Sequence, residues 1–170
     1  MKTNILVTYA SKYGATKEIA EKIGEVLCQA GLQVQVASVE EIRDLTPYSA
    51  VVLGSALYIG KWYKQGMDFI KSYEKVLASK PVWIFSSGPS GEGDPVKLVD
   101  GKSLPADVKA IVDRIHPRDI TLFHGDINLD KINAMEKFAV KNVVKKPFGD
   151  YRDWDMIVAW ATKVAGALKN

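Results

Sequence analysis

The sequence predicts an α/β fold in which a five-stranded parallel sheet is doubly wound, with helices on both faces. Short apolar runs alternate with longer segments of helical period along the chain, and this alternation is typical of parallel strands joined by crossover helices. The length of 170 residues, 47% of them apolar, suits one domain with a sizeable core. We therefore expect a single domain over residues 1–170.

The predicted strands are short and mostly apolar. Residues 4–9 carry no charged side chain, which is typical of a strand buried on both faces. Residues 50–54 form a second uninterrupted apolar run a few positions after Pro47. In chain order, the five predicted strands cover residues 4–9, 33–37, 50–54, 81–85 and 119–123.

The predicted helices carry apolar residues at spacings of three and four. Ile19, Ile23 and Leu27 share one face of the first helix, and Gly31 supplies its end. Asp153 is a candidate N-cap for the last helix. The predicted helices cover residues 16–30, 64–78, 104–115 and 129–144, with a final one after Asp153. Residues 86–101 contain four glycines and two prolines, which predicts a long loop.

Composition and charge exclude several classes of protein. The net charge of +3 is mild and the charges are mixed, so we expect no nucleic-acid partner. No run approaches the roughly 18 apolar residues of a membrane span, and the first residues lack the pattern of a secretory signal. Cys28 is the only cysteine, which fits a reducing compartment, and its position in a helix beside Leu27 favours packing over catalysis. A cytoplasmic location is therefore expected.

The segment between the first strand and the first helix is a candidate anion site. It comprises Ser11, Lys12, Tyr13, Gly14, Ala15 and Thr16. Backbone N–H groups at a helix start lack intrahelical partners, and the positive end of the helix dipole lies behind them. The Ser11 and Thr16 hydroxyls add donors, and Gly14 lets the backbone approach a ligand closely. The segment fits a phosphate; a capped turn without a ligand is the alternative.

Other phosphate-binding and metal-binding motifs do not match. Neither GxxxxGK nor GxGxxG follows the first strand, so a nucleoside triphosphatase loop and a dinucleotide fingerprint are not supported. A phosphate-accepting receiver domain would need acidic residues where Thr8, Tyr9 and Ala10 end that strand. His116 and His124 are isolated from other ligand types, so no metal site is expected.

Two further loops follow the third and fourth strands, at residues 54–63 and 86–94. In a doubly wound sheet both loops lie beside the first one, at the carboxyl ends of the strands. Tyr58 or Trp62 can offer an aromatic face, while the glycines and serines offer partners for a ring's polar edge. The three loops together predict a site for a flat ring with a phosphate. The alternative is that Tyr58 and Trp62 only cover a sheet edge.

These loops resemble those of the flavodoxin-like family, which binds FMN phosphate in a T-x-T-G-x-T loop after the first strand. The resemblance implies FMN as cofactor and the strand order 2-1-3-4-5. The sequence departs from the motif at Ser11, Tyr13 and Ala15, and Lys12 either compensates electrostatically or faces solvent. The implied cofactor-binding residues are Ser11, Lys12, Tyr13, Gly14, Ala15, Thr16, Ala56, Leu57, Tyr58, Gly60, Ser86, Ser87, Gly88, Pro89 and Gly91.

Residues 10–20, 52–60 and 151–154 are similar to the menaquinone-dependent protoporphyrinogen oxidase branch of that family. This likeness implies an FMN-dependent oxidoreductase with a porphyrinogen substrate and a quinone acceptor. The rival hypothesis is an electron carrier with a redox partner and no substrate of its own. The family resemblance implies that such carriers are strongly acidic. This chain is not acidic, which disfavours the carrier hypothesis. A flavin-free interaction domain is a third hypothesis. Glu92 and Asp94 are acid or base candidates by location only, so the catalytic residues are not identified.

The segment at 129–146 is rich in lysine. Its apolar positions are accompanied by Lys131, Lys137, Lys141, Lys145 and Lys146. A basic amphipathic helix of this kind can lie on an anionic membrane or under an anionic substrate. Peripheral contact with the inner face of the membrane is therefore one hypothesis. An ordinary surface helix with a solvated lysine face is the other.

Overall fold

The structure, a computed structural model, describes residues 4–138, 141–142 and 148–170. Among these residues, five parallel strands form the main sheet in the order β2-β1-β3-β5-β6, with the two-residue strand β4 antiparallel to β3. The strands are β1 (Asn4–Ala10), β2 (Gln33–Ser38), β3 (Ala50–Tyr58), β4 (Lys61–Trp62), β5 (Val82–Ser87) and β6 (Asp119–Phe123), and a separate ribbon pairs β7 (Asp126–Ile127) with β8 (Gly149–Asp150). Counted over the parallel strands, this is the predicted order.

Helices cover both faces of the sheet, as predicted. Helices α1 and α7 pack on one face, and α2, α3 and α5 pack on the other. The helices are α1 (Ala15–Gln29), α2 (Lys64–Ser72), α3 (Glu74–Leu77), α4 (Pro95–Leu98), α5 (Ala106–Ile115), α6 (Ala134–Phe138) and α7 (Trp154–Lys169), with 3-10 turns at Val39–Glu41 and Leu129–Lys131. The doubly wound architecture is confirmed.

The core consists of two apolar layers because successive side chains of a strand point to opposite faces. In β1, Ile5 and Val7 pack toward α1 and α7, whereas Leu6 packs toward α2 and α5. All three are fully buried, which explains the uninterrupted apolar run in the sequence. The rings of Phe85, Phe123 and Trp160 contact one another on the α7 side, with centroids 5.7 to 6.1 Å apart.

Gly54 in the centre of β3 allows the close approach of an aromatic ring. A Cβ atom at this position would overlap the ring of Phe85 on the neighbouring strand β5. Phe85 is fully buried and cannot leave this place without disturbing Phe123 and Trp160. The glycine is therefore a packing requirement of the sheet.

Strand β3 and the second predicted helix differ from their predicted extents. Strand β3 runs to Tyr58 because its last residues pair with β4, where Leu57 faces Trp62. The helix predicted at 64–78 breaks at Tyr73, whose φ of −107° leaves the helical range and whose ring packs 4.7 Å from that of Phe69. The break divides it into α2 and α3.

Three further predictions are corrected. The long loop at 86–101 contains the short helix α4, because Asp94 accepts a hydrogen bond from the backbone N–H of Val96 at its start. The helix predicted at 129–144 is instead a 3-10 turn followed by α6, because the Asn133 side chain caps the start of a new helix. Residues 139–140 and 143–144 of the predicted helix lie outside the described residues. Cys28 is exposed rather than packed in the core, because the apolar face of α1 runs through Leu27.

Candidate functional site

A cavity of about 240 Å³ lies at the carboxyl ends of β1, β3 and β5. This is the edge at which parallel sheets of this kind bind ligands. The wall contains predicted residues from all three loops: Ser11, Lys12, Tyr13, Ala15, Thr16, Ala56, Leu57, Tyr58, Gly60, Ser87 and Gly88. The other predicted residues, Gly14, Ser86, Pro89 and Gly91, do not line the cavity. The structure thus brings the three predicted loops together around one space.

The first loop turns directly into α1 through Gly14. This residue adopts φ 95° and ψ −8°, a left-handed conformation that glycine tolerates better than other residues, and its N–H donates to the Ser11 hydroxyl at 3.0 Å. The chain then starts α1 at Ala15, where the first N–H groups of the helix have no intrahelical acceptor. Ala15 and Thr16 line the cavity, so the positive end of the helix dipole faces it.

Buried hydroxyl groups join the loops to one another. The Thr16 and Ser87 hydroxyls are 2.8 Å apart and both residues are almost fully buried, which fixes the first helical turn against the end of β5. Ser86 accepts a hydrogen bond of 2.8 Å from the indole N–H of Trp62. Trp62 is therefore a buried support, and of the two aromatic candidates it is Tyr58 that lines the cavity.

Close backbone contacts set the distance between the second and third loops. A Cβ atom on Gly88 would lie 2.7 Å from Leu57 Cβ and 3.0 Å from the Leu57 carbonyl oxygen. Gly125, which follows β6, approaches Gly88 just as closely, since its own Cβ would lie 2.8 Å from Gly88 Cα. Three chain segments therefore meet at the cavity wall. They lie so close together that only glycine fits at positions 88 and 125.

The third loop carries an unpaired polar group. The Ser90 hydroxyl is buried, lines the cavity and has no hydrogen-bond partner among the described residues. A buried hydroxyl without a partner is costly unless a ligand or water completes it. Ser90 was not among the predicted cofactor-binding residues, although it lies within the predicted loop.

His124 keeps the third loop in place. Its ring is buried, with Nδ1 3.1 Å from the Pro89 carbonyl oxygen and Nε2 2.7 Å from that of Gly93. The backbone N–H of Gly125 donates to the same Pro89 oxygen at 3.0 Å. This isolated histidine therefore positions the loop that carries Ser90, a role for which the sequence gives no signal.

A fourth wall comes from the segment after β6, which the sequence did not assign to the site. Its cavity-lining residues are Gly125, Asp126, Ile127, Asn128, Lys131, Ile132 and Glu136, and Val99 and Ile59 complete the wall. Ile127, Ile132 and Val99 make much of this wall apolar. Ile59 is 70% exposed and adopts φ 49°, an uncommon conformation for a β-branched residue. The cavity is thus bounded on one more side than the three loops provide.

Glu136 in the cavity wall contacts the first loop. Its carboxylate accepts hydrogen bonds from Lys12 Nζ and the Tyr13 hydroxyl, 124 and 123 positions earlier in the chain. The Lys12 Nζ also lies 5.0 Å from the ring centroids of Tyr13 and Tyr58. Lys12 is thus paired with a carboxylate while its side chain remains 35% exposed.

The charges in this cluster stabilise one another. Although burial favours the neutral acid, hydrogen bonds from Lys12 and Tyr13 lower the pKa of Glu136 to about 2. The same carboxylate raises the pKa of the Lys12 ammonium. Burial, with the Glu136 carboxylate nearby, raises the pKa of the Tyr58 phenol. At neutral pH the cluster therefore contains the Glu136 carboxylate, the Lys12 ammonium and the neutral Tyr58 phenol.

Arg152 connects the first helical turn to the β7–β8 ribbon. Its side chain is only 6% exposed and donates to the Ala15 carbonyl at 3.3 Å, to the Glu18 carboxylate and to both oxygens of Asp150 at 2.7 and 2.8 Å. Asp126 lies 3.8 Å away, and the guanidinium stacks 4.8 Å from the Trp154 ring centre. Hydrogen bonds from Arg152 lower the pKa of Asp150. The 151–154 motif thus has a structural role beside the anion loop.

The candidate acid and base residues of the third loop lie outside the cavity wall. Asp94 is exposed and caps α4, and Glu92 is exposed to solvent. Both carboxylates are therefore solvent-exposed loop groups in this structure, and the catalytic residues are not identified. No helix in the described part of the chain has the length and apolar character needed to cross a bilayer.

Comparison with known proteins gives the family. The family model described as flavodoxin domain matches residues 6–153, which include all three loops and the fourth wall. The chain belongs to the flavodoxin domain family. This result confirms the resemblance that the loop sequences indicate.

Individual relatives within and around the flavodoxin family are distant. The chain is 23% identical to protoporphyrinogen IX dehydrogenase [quinone] of Escherichia coli strain K12, over 97% of this chain and 95% of that protein. A cysteine-to-serine variant of flavodoxin from Pseudomonas aeruginosa superimposes with a TM-score of 0.65 at 15% identity, covering 99% of this chain and 100% of that one. A flavodoxin from the domain Archaea gives 0.61 at 17% identity, with coverage of 99% and 100%. The structural matches establish the flavodoxin fold.

FMN is the cofactor of the flavodoxin family, and the observed cavity fits it. The wall offers the unpaired Ser90 hydroxyl as a hydrogen-bond partner and the first N–H groups of α1 as donors to an anion. Tyr58 adds an aromatic side chain to the cavity wall. A flat ring with a phosphate finds the donors and aromatic surface that it requires.

Proposed function

We propose that this flavodoxin-domain protein is an FMN-dependent oxidoreductase that oxidises a porphyrinogen-like substrate and passes the electrons to a quinone. The observation that carries the proposal is the fourth wall, because Ile127, Ile132 and Val99 add an apolar surface beyond the three cofactor loops. An apolar wall of this kind suits a large organic substrate and limits the access of water. The likeness to protoporphyrinogen IX dehydrogenase [quinone] over nearly the whole of both chains supports the same assignment.

We further propose how FMN is placed. The phosphate binds at residues 11–16 against the start of α1, and the ring lies between Tyr58 and the loop that carries Ser87, Gly88 and Ser90. Bound FMN supplies two-electron redox chemistry, while the protein supplies placement and exclusion of water. Thr16 and Ser87 fix the two loops at their 2.8 Å contact, and His124 orients the Ser90 loop.

Turnover of the full-length protein loaded with FMN tests this function. Under anaerobic conditions, adding protoporphyrinogen alone is expected to bleach the flavin absorbance near stoichiometrically, and menadione is then expected to restore it. With both present, porphyrin fluorescence should rise continuously. Each two-electron oxidation of the substrate releases two electrons and two protons, and one quinone takes up both.

The carrier hypothesis gives the opposite result in the same assay. A one-electron shuttle leaves its flavin oxidised when protoporphyrinogen is added and becomes reduced only when a flavodoxin reductase and its nicotinamide donor are supplied. That outcome would overturn the enzyme assignment while leaving the FMN site intact. Protein that takes up no FMN would overturn both.

We also propose that the stretch from Lys131 to Lys146 contacts an anionic membrane surface. Met135 and Phe138 are 81% and 63% exposed on α6, and exposed Lys131 and partly exposed Lys137 lie beside them in the chain. Lys141 lies 6.0 Å from the ring of the partly exposed Phe148. Exposed apolar side chains among lysines suit an interface with anionic lipid, where a quinone would be accessible. Lys145 and Lys146 lie outside the described residues.

Vesicle sedimentation tests this contact. The wild-type protein is expected to sediment with vesicles containing 30% phosphatidylglycerol and to remain in solution with pure phosphatidylcholine. Replacing both Met135 and Phe138 with Ser is expected to weaken binding by about tenfold or more, because each side chain contributes about 1.5 kcal/mol or more when buried. Lys163→Glu on the exposed face of α7 is the charge control and should bind nearly as wild type. Equal sedimentation of all variants would contradict the proposed surface.

A further inference from the structure

Glu136 occupies an unusual place for a carboxylate. It binds Lys12 and Tyr13, which belong to the same loop that would receive an anion, and its side chain is only 15% exposed. A carboxylate and a phosphate compete for the same kind of partner, a cation or a hydroxyl donor. The acid therefore lies close to the charge that the cavity has to accommodate.

We propose that Glu136 sets the affinity of the site for the phosphate of FMN by competing with it for Lys12 and by repelling its charge. This inference rests on the proposed placement of FMN at residues 11–16. Glu136 thereby reduces the preference of the site for FMN over riboflavin, which has the same ring and no phosphate. Because the pKa of Glu136 is lowered to about 2, the competition operates throughout the physiological pH range.

A second role of Glu136 makes a sharp test possible. Its backbone N–H donates to the Asn133 side chain at 2.9 Å, and the Asn133 N–H donates to the Glu136 carboxylate at 3.1 Å, which is a capping box at the start of α6. Glutamine serves a capping box as well as glutamate does. Glu136→Gln therefore removes the charge and keeps the cap, whereas Glu136→Ala removes both.

The experiment compares two flavins on the full-length protein after its flavin has been removed. Dissociation constants for FMN and riboflavin are measured by quenching of flavin fluorescence, and the ratio of the two constants is the readout. For Glu136→Gln we expect the preference for FMN to rise about tenfold with little change for riboflavin, because the repulsion between the carboxylate and the doubly charged phosphate is lost. Lys12→Met is expected to lower the preference.

Controls separate the charge effect from a structural one. Glu21→Gln removes an exposed carboxylate from α1 at its pair with Lys17, remote from the cavity wall, and should leave the ratio unchanged. An unchanged or lower FMN preference in Glu136→Gln overturns the inference and leaves Glu136 as a helix cap only. If wild-type protein binds neither flavin, or if neither wild type nor Glu136→Gln prefers FMN to riboflavin, the proposed phosphate site fails and the inference fails with it.

Discussion

Gly54→Ala is expected to destabilise the protein by about 3 kcal/mol, because the new methyl group would overlap the ring of Phe85 in the centre of the sheet. Phe85 is enclosed by Phe123 and Trp160 and has no free space to enter. Urea denaturation without flavin should show the change as a shift of the midpoint. For a chain of this size the melting temperature should fall by roughly 6–12 °C.

A compensating substitution and a matched glycine test the cause. Phe85→Leu removes the ring atoms that the methyl group meets, so the double variant should lose about 1 kcal/mol or more less than the sum of the two single losses, which is the coupling in a double-mutant cycle. Gly166→Ala on the exposed face of α7, where nothing lies within 4 Å of the added atom, should instead stabilise by about 0.5–1 kcal/mol. A loss of less than about 0.5 kcal/mol in Gly54→Ala would contradict the packing argument.

Gly88→Val is expected to weaken binding of FMN and riboflavin alike by about 100-fold. The valine side chain would press against the Leu57 backbone at 3.0 Å and force apart the two loops between which the ring is proposed to lie. Overpacking typically costs about 1–3 kcal/mol, and 2.8 kcal/mol taken from binding corresponds to 100-fold. Fluorescence titration with each flavin measures the effect.

The pattern across the two flavins distinguishes this effect from that of Glu136. A displaced ring site affects both flavins equally, whereas a phosphate effect changes only FMN. Gly166→Val serves as the control, because it adds the same side chain at an open helix position. Flavin affinities of Gly88→Val within about threefold of wild type would show that the loops tolerate separation and that the ring lies elsewhere.

The fold was predictable because its signal is local. Apolar runs such as 4–9 and the three-and-four spacing of Ile19, Ile23 and Leu27 encode buried strands and an amphipathic helix within a few residues of each other. The family loops were predictable for the same reason, since each follows a strand directly. Those parts of the cavity required no knowledge of distant contacts.

The remainder of the site depends on contacts between distant parts of the chain. Glu136 meets Lys12 across 124 positions, and His124 meets the Pro89 carbonyl across 35, so no local pattern identifies either. Tyr58 and Trp62 were alternative candidates for a ring face; Tyr58 lines the cavity, whereas the Trp62 indole donates to Ser86 inside the core. Aromatic composition alone does not tell a lining residue from a supporting one.

The Arg152 contacts imply a thermodynamic linkage between flavin binding and the order of the β7–β8 ribbon. One guanidinium binds the Ala15 carbonyl, beside the proposed phosphate site, and the Asp150 carboxylate in the ribbon. When phosphate binding favours the conformation of α1 that Arg152 contacts, it also stabilises the paired conformation of the ribbon. The ribbon in turn strengthens phosphate binding by the same coupling free energy, because such coupling is reciprocal. Amide exchange at Asp150, which lies outside the cavity wall, should then slow when FMN is added and should slow less with riboflavin. Strand β8 would report on the charge of the cofactor from outside the cavity.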